Sequence, residues 1–477
     1  MTARPPSPRR GVSLVRGAVL ALVAAMCVLA PTGVAAQSTG GASGGDPGNP
    51  FPAQFGGANA EQLGNTALNL SMAFFGGYDD DIFARGQNSR PNAARVSGPF
   101  LGSQTSATYV KRFSSGLFSA RGASSARYLT ETQEMVPTFH FGSAEFTKAF
   151  NSRTSVSIRQ VLLYRPFFSA APFAGQNAVD PTFPSSGTAV GGEPDGLIGG
   201  GPDDSTLASD RTAWQYLTSG TFTRRITPRA RLQFFGVYGQ SRFDEAEDGT
   251  NVDNARVQAR GSFIYDLTTF LAARLGYGYR YFGTVTEDRD AANHDVDVGL
   301  LLNKPFQIRR GQTEFSATTG TTLLVRERVN VDGSAADRVL FRFIGTGQVR
   351  HTFTRDWVGD VTYTHSVGYI DGFVEPVEGD RVAASLSGLL TRSLELQVQA
   401  SYLSGAIGLQ DRNFDTGIAG ARLRYALNQK LALFAQYFYF QYTYDDDIAS
   451  TLLTASDLER QGFRVGLTVW LPVVRQR

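Results

Sequence analysis

The sequence predicts an all-β protein, a transmembrane antiparallel up-and-down β-barrel of about 18 strands. Three observations carry that expectation. Apolar and polar residues alternate through about eighteen long runs; the connections between runs alternate short and long; acids gather in the long connections and bases in the short ones. The run "RQGFRVGLTVWLPVV" at 460–474 shows the first pattern, with Phe463, Val465, Leu467, Val469, Leu471 and Val473 in every second place. A period of two is a strand with unlike faces. Whether the apolar face meets a dry core or hydrocarbon decides the class.

The first element is an export signal at residues 1–36. "MTARPPSPRRGVSLVR" carries four arginines, "GAVLALVAAMCVLA" is a short apolar run, and Val34-Ala35-Ala36 precede Gln37. Charged, apolar and small-residue regions in that order read as a cleaved secretory leader. A membrane anchor is the alternative, but the run is shorter than the roughly 20 apolar residues a spanning helix needs. The only cysteine, Cys27, lies in this leader. A disulfide framework, a thiol nucleophile and a cysteine metal site are thereby excluded from the mature chain. Residues 37–65, beginning "QSTGGASGGDPGNP", are Gly-rich and expected to be a flexible periplasmic segment.

The barrel is expected over 66–474. Its runs fall near 66–78, 103–113, 116–129, 136–150, 153–166, 211–225, 229–243, 252–266 and 269–285. The second half adds 293–306, 312–330, 337–353, 355–371, 378–392, 394–410, 412–427, 430–446 and 459–473. They exceed the five or six residues usual in globular strands and suit tilted membrane strands of roughly 9–11 residues with overhang. Between Arg229 and Leu471 only Pro305 and Pro376 occur, and both are read as falling between runs. Proline is excluded from paired central strands, so this stretch reads as one continuous sheet.

Loops sort by length and charge. "FSSG", "FNSR", "ITPR", "DLTT", "FTRD", "LTRS" and "LNQK" are short, whereas 79–102, 167–210, 244–251 and 447–458 are long. Only 410–412 breaks the alternation. Acids mark the long loops, "YDDD" at 78–81, "DEAED" at 244–248 and "YDDD" at 444–447; Arg153, Arg224, Arg225, Arg229, Arg392 and Lys430 mark the short. Membrane barrels have short periplasmic turns and longer external loops, and a soluble sandwich has no reason to sort them. Aromatic clusters such as Tyr279, Tyr281 and Phe282, or "YFYFQYTY" at 437–444, sit near the long-loop ends, where amphipathic rings favour the headgroup level.

With the apolar parity outward, the other parity lines the lumen. It carries Arg256, Arg260, Arg274, Arg342, Arg422 and Arg424, with Gln258, Gln348, Glu395, Gln397 and Gln399. A dry core could not hold such a set, so the interior is expected to be wet. Runs 136–150 and 430–440 are apolar on both parities, which leaves their faces unassigned.

"LNLSMAFFGGYDDDIFA" at 68–84 and "FAQYFYFQYTYDDD…LERQGFRVGLTVWLPVV" at 434–474 resemble the opening strand and closing hairpin of the second β-barrel porin family. The resemblance implies an outer-membrane barrel, sometimes tied to exopolysaccharide export, and brings no catalytic residues. The terminal aromatic common in such barrels is replaced by Arg475-Gln476-Arg477 after the last run.

His140, His294, His351 and His365 share no spacing that builds a triad or metal set on one rim. "GGEPDGLIGGGPDD" at 191–204 lacks the order of a calcium loop, and no Gly-rich stretch follows a strand and opens a helix. The expected function is therefore non-enzymatic, without cofactor or metal: a water-filled outer-membrane channel for small polar or anionic solutes. The alternative is a non-catalytic barrel of an envelope or exopolysaccharide export system. Expected partners are outer-membrane lipids and lipopolysaccharide, the barrel-assembly machinery and small solutes, not nucleic acid; homo-oligomers stay open. The longest loop, 167–210, carries Asp180, Glu193, Asp195, Asp203 and Asp204. It is expected either to fold inward as a constriction against the arginines or to splay into water.

Overall fold

The structure, a computed structural model, describes residues 66–81, 97–165, 213–243, 254–284, 290–308, 311–329, 335–354, 357–369, 376–407, 412–445 and 457–476. The expected leader 1–36, the segment 37–65 and the loop 167–210 lie outside the described residues.

Every element among the described residues is a strand. In chain order they are β1 Thr66–Asp79, β2 Gly98–Phe113, β3 Gly116–Leu129, β4 Glu134–Asn151, β5 Thr154–Arg165 and β6 Ala213–Arg225. Then come β7 Ala230–Phe243, β8 Asn254–Asp266, β9 Leu271–Thr284, β10 Asp290–Ile308, β11 Gly311–Val329 and β12 Ala335–Thr354. The last six are β13 Trp357–Tyr369, β14 Pro376–Leu389, β15 Leu394–Ile407, β16 Arg412–Asn428, β17 Leu431–Tyr444 and β18 Asp457–Gln476. Each pairs antiparallel with its sequence neighbours, and β1 pairs with both β2 and β18. The sheet therefore closes into an 18-stranded up-and-down barrel with no free edge.

The short turns follow from local chemistry. Asn151 Oδ1 accepts the Arg153 amide at 2.9 Å, and Asn428 Oδ1 accepts the Lys430 amide at 2.8 Å. Thr227, Thr268 and Thr391 do the same through Oγ1 for Arg229, Phe270 and Ser393. Asn and Thr side chains stand in for a backbone acceptor two residues on, which fixes a tight reversal.

The expected strand bounds hold with corrections at the ends. β2 starts at Gly98, five residues earlier than its alternation suggested, because Gly98 to Gly102 pair with Asp79 to Phe75. Pro305 lies inside β10, opposite Glu314, and not between strands. β18 runs to Gln476, so Arg475 and Gln476 belong to the strand and pair with Ala67 and Thr66. Pro472 sits beside the register shift at Leu68/Asn69, where a residue without an amide hydrogen is tolerated.

Candidate functional site

The faces resolve as the alternation requires. On β18 Phe463 and Val465 are 52% and 53% exposed, while Arg464 between them is 4% exposed. Leu275 and Tyr277 on β9, Val298 and Leu300 on β10, and Leu423 and Tyr425 on β16 continue the exposed apolar belt around the ring. A soluble barrel would not wrap itself in Phe, Leu and Val, whereas hydrocarbon accepts them. The alternating partners face the lumen.

All six predicted arginines take inward positions, Arg256 and Arg260 on β8, Arg274 on β9, Arg342 on β12, and Arg422 and Arg424 on β16. The closed order separates β8 and β9 from β16 by eight and seven steps round the ring of eighteen. The arginines of β8 and β9 and those of β16 thus occupy nearly opposite walls, with Arg342 on β12 between them. Their immediate partners differ from what parity alone suggested. Arg424 Nη2 donates to Glu395, and Arg342 Nε donates to Glu378 Oε2 at 2.9 Å. Glu395 lies on the adjacent strand β15 and Glu378 two strands away on β14, which an in-strand parity count does not show.

The wall from β15 to β3 is a layered surface. Gln397, Arg422, Gln436 and Arg464 form one cross-strand row, and Arg464 Nε donates to Gln436 Oε1 at 2.9 Å. Beneath them aromatic rings lie flat over glycines. A Cβ at Gly466 would stand 2.8 Å from the Phe434 ring, and one at Gly462 would stand 2.5 Å from the Phe438 ring. Guanidiniums cover the other faces of the rings, Arg464 at 4.9 Å from the Phe75 centroid and Arg422 at 5.6 Å from Phe434. Glycine, ring and guanidinium stack in that order, so Phe75, Phe100 and Phe434 cluster buried on the inner wall. This assigns the run 430–440, whose Phe434, Phe438 and Phe440 face inward with Tyr442. The lumen is accordingly polar and charged on part of its wall and aromatic on this part.

A buried bidentate ion pair joins the chain's two end strands. Asp79 on β1 receives both Nε (2.9 Å) and Nη2 of Arg460 on β18, and Arg127 Nη1 stands 3.6 Å away. Asp79 and Arg460 are both buried. Asp80 prolongs the seam, accepting the Gln461 amide at 2.8 Å. The "YDD" stretch therefore closes the barrel. In-strand alternation puts Arg464 on the face away from Val465 and marks the acidic stretch as the start of a long loop, but nothing in it points to Arg460 or Arg127 as partners of Asp79.

The four histidines all lie on the outward parity. His140 meets Ser124 Oγ at 2.9 Å, His294 meets the Tyr277 hydroxyl at 2.6 Å, His351 meets Thr313 Oγ1 at 2.6 Å, and His365 meets Asp380 at 2.9 Å. None points at the lumen, and among the described residues no group of three His, Cys, Asp or Glu is arranged to hold a metal. The constriction candidates Asp180, Glu193, Asp195, Asp203 and Asp204 lie outside the described residues.

No protein-family model matches the sequence, and no curated relative does. Solved structures similar to the chain are outer-membrane barrels. OccK8 (OprE) of Pseudomonas aeruginosa is 11% identical with a TM-score of 0.41, over 86% of this chain and 99% of that one. A BenF-like porin from Pseudomonas fluorescens is 10% identical at 0.43, over 86% and 100%. The FrpB iron transporter of Neisseria meningitidis is 8% identical at 0.40, over 86% and 82%. Likenesses this low carry no inference about solute or partner; the barrel reading stands on the closed ladder and the exposed apolar belt.

Proposed function

We propose that the chain is an outer-membrane channel that passes small polar or anionic solutes, with its N-terminus in the periplasm and residues 1–36 removed as a leader. The observation that carries this reading is a closed ring of eighteen strands with guanidiniums on nearly opposite inner walls. A ring of 16–18 strands is too wide for its side chains to fill. Fixed positive charge across such an opening attracts and orders anions. Short turns such as Ser152-Arg153 and Gln429-Lys430 face the periplasm in this orientation, and the acidic loops face outward. The loop 167–210 is proposed to fold toward the mouth and narrow it.

Planar-bilayer conductance in a salt gradient tests the reading. The expected result is a steady open channel whose reversal potential favours anions. Neutralising Arg256, Arg260 and Arg274 together should move that potential toward cation selectivity, and deleting 176–204 should raise single-channel conductance. A barrel that inserts but never conducts would sink the channel reading and favour the envelope-assembly role.

A further inference from the structure

Two adjacent short turns enclose a cleft of ≈ 600 Å³ at one rim of the barrel. Arg153 reaches it from the β4–β5 turn, and Arg224 and Arg225 reach it from the end of β6. Asn151, Ser152, Thr154, Ile226 and Leu232 line the remainder, with no acid among the lining residues. The backbone fixes the arrangement, since the Arg225 amide donates to the Arg153 carbonyl at 2.7 Å and Asn151 holds the Arg153 amide at 2.9 Å. Three exposed arginines on adjoining turns, with no acid beside them in the lining, concentrate positive charge that a shared anion would offset.

The cleft also has a direction. Arg224 and Leu232 are cross-strand partners on the outward parity. The next outward pair along the same strands is Phe222 and Phe234, with ring centroids 6.1 Å apart and Phe234 half exposed. A cationic end therefore opens onto the apolar belt. Inorganic phosphate would satisfy the guanidiniums but leave the Phe222–Phe234 strip unused. A phosphodiester with acyl chains fits both parts.

We propose that this cleft is a binding site for the headgroup phosphate of an anionic glycerophospholipid in the leaflet at the short-turn rim. The site rests on the membrane-barrel reading above. Arg153, Arg224 and Arg225 hold the phosphate oxygens, and the chains lie along Leu232, Phe222 and Phe234.

Native mass spectrometry of the full, delipidated barrel in detergent tests it, with phosphatidylglycerol, phosphatidylcholine, glycerol 3-phosphate and inorganic phosphate as probes. Phosphatidylglycerol should bind the wild type most tightly. The variant R153Q/R224Q/R225Q should lose roughly 100-fold in that affinity, taking each arginine's ordinary contribution near an anionic lipid surface. The single exposed change R224Q, which leaves the turns intact, should lose about fivefold on the same basis. K111Q/R392Q/K430Q removes equal charge from the same rim elsewhere and should change little. Equal losses in both triple variants would reduce the site to diffuse surface charge and overturn it. Glycerol 3-phosphate or inorganic phosphate binding as tightly as the lipid would make it a free-phosphate site and overturn the lipid assignment. Indifference between the two phospholipids would overturn the requirement for net negative charge. A heat-dependent gel shift checks that each variant is a folded barrel, and conductance of the same samples reads the channel separately. A conducting barrel that ignores phosphatidylglycerol refutes this site alone; a chain that neither shifts nor inserts refutes both.

Discussion

Replacing Arg460 by methionine removes the guanidinium that closes the barrel while keeping an apolar stem over Phe438, whose centroid lies 5.8 Å from the Arg460 Cζ. Asp79, fully buried, loses two charge-assisted hydrogen bonds and keeps the Asp81 amide at 3.2 Å and Arg127 at 3.6 Å. Breaking a buried pair from one side costs about 3–5 kcal/mol, because the surviving charge is left without its partner. Arg127 supplies part of the counter-charge, so the expectation is the lower end, about 3 kcal/mol. Arg127→Met leaves the bidentate pair intact and should cost about 1 kcal/mol. The pair spans 381 residues of sequence, so its loss loosens the β1–β18 seam and no local hairpin. Urea titration of the folded barrel in detergent micelles, followed by tryptophan fluorescence and by the gel shift on boiling, measures the cost. A double-mutant cycle with Asp79→Asn should give a coupling of about 1.5 kcal/mol or more, as close charge pairs do. Single changes costing under about 1 kcal/mol, or a double change equal to the sum of the singles, would show that the clasp is not what holds the seam.

Face assignment is tested by Val465→Arg against Thr221→Arg. The first puts a charge on the exposed apolar face and should cost roughly 2–4 kcal/mol if it sits near the bilayer midplane, whereas the second faces the lumen and should cost far less; equal unfolding midpoints would reverse the faces. Thr468 is a poor luminal control, because it is buried against its cross-strand neighbour Ala432. Gly466→Ala should destabilise by about 1–3 kcal/mol because the new methyl meets the Phe434 ring and the Phe74 carbonyl, while Gly142→Ala, with nothing within 4 Å, should be neutral or slightly stabilising in the same urea assay. Neutralising Arg424 and Glu395 together preserves net luminal charge, so the bilayer reversal potential should stay put, and a shift would show that the pair is not electrically balanced.

What the sequence by itself determined was everything that a period of two and a sorted loop can encode. Phe463, Val465 and Leu471 had to face one way and Arg464 the other, because successive strand residues point to opposite sides whatever the neighbours are. The turn chemistry of Asn151, Thr227, Thr268, Thr391 and Asn428 is likewise local, since each side chain bonds the backbone two residues on. These local rules, summed with the length alternation, were enough for an all-β barrel of about eighteen strands. They failed where two strands share a decision. Parity placed Arg424 inside but could not show Glu395 beside it, because that contact is set by the β15–β16 register. The run 430–440 is apolar on both sides, and only the glycines of neighbouring strands, with guanidiniums to cover the rings, decide that Phe434 and Phe438 turn inward. Nor could any in-strand pattern join Asp79 to Arg460. Closure brings the first and last strands side by side, and a buried carboxylate at that seam is stable only because a guanidinium from the far end of the chain meets it there.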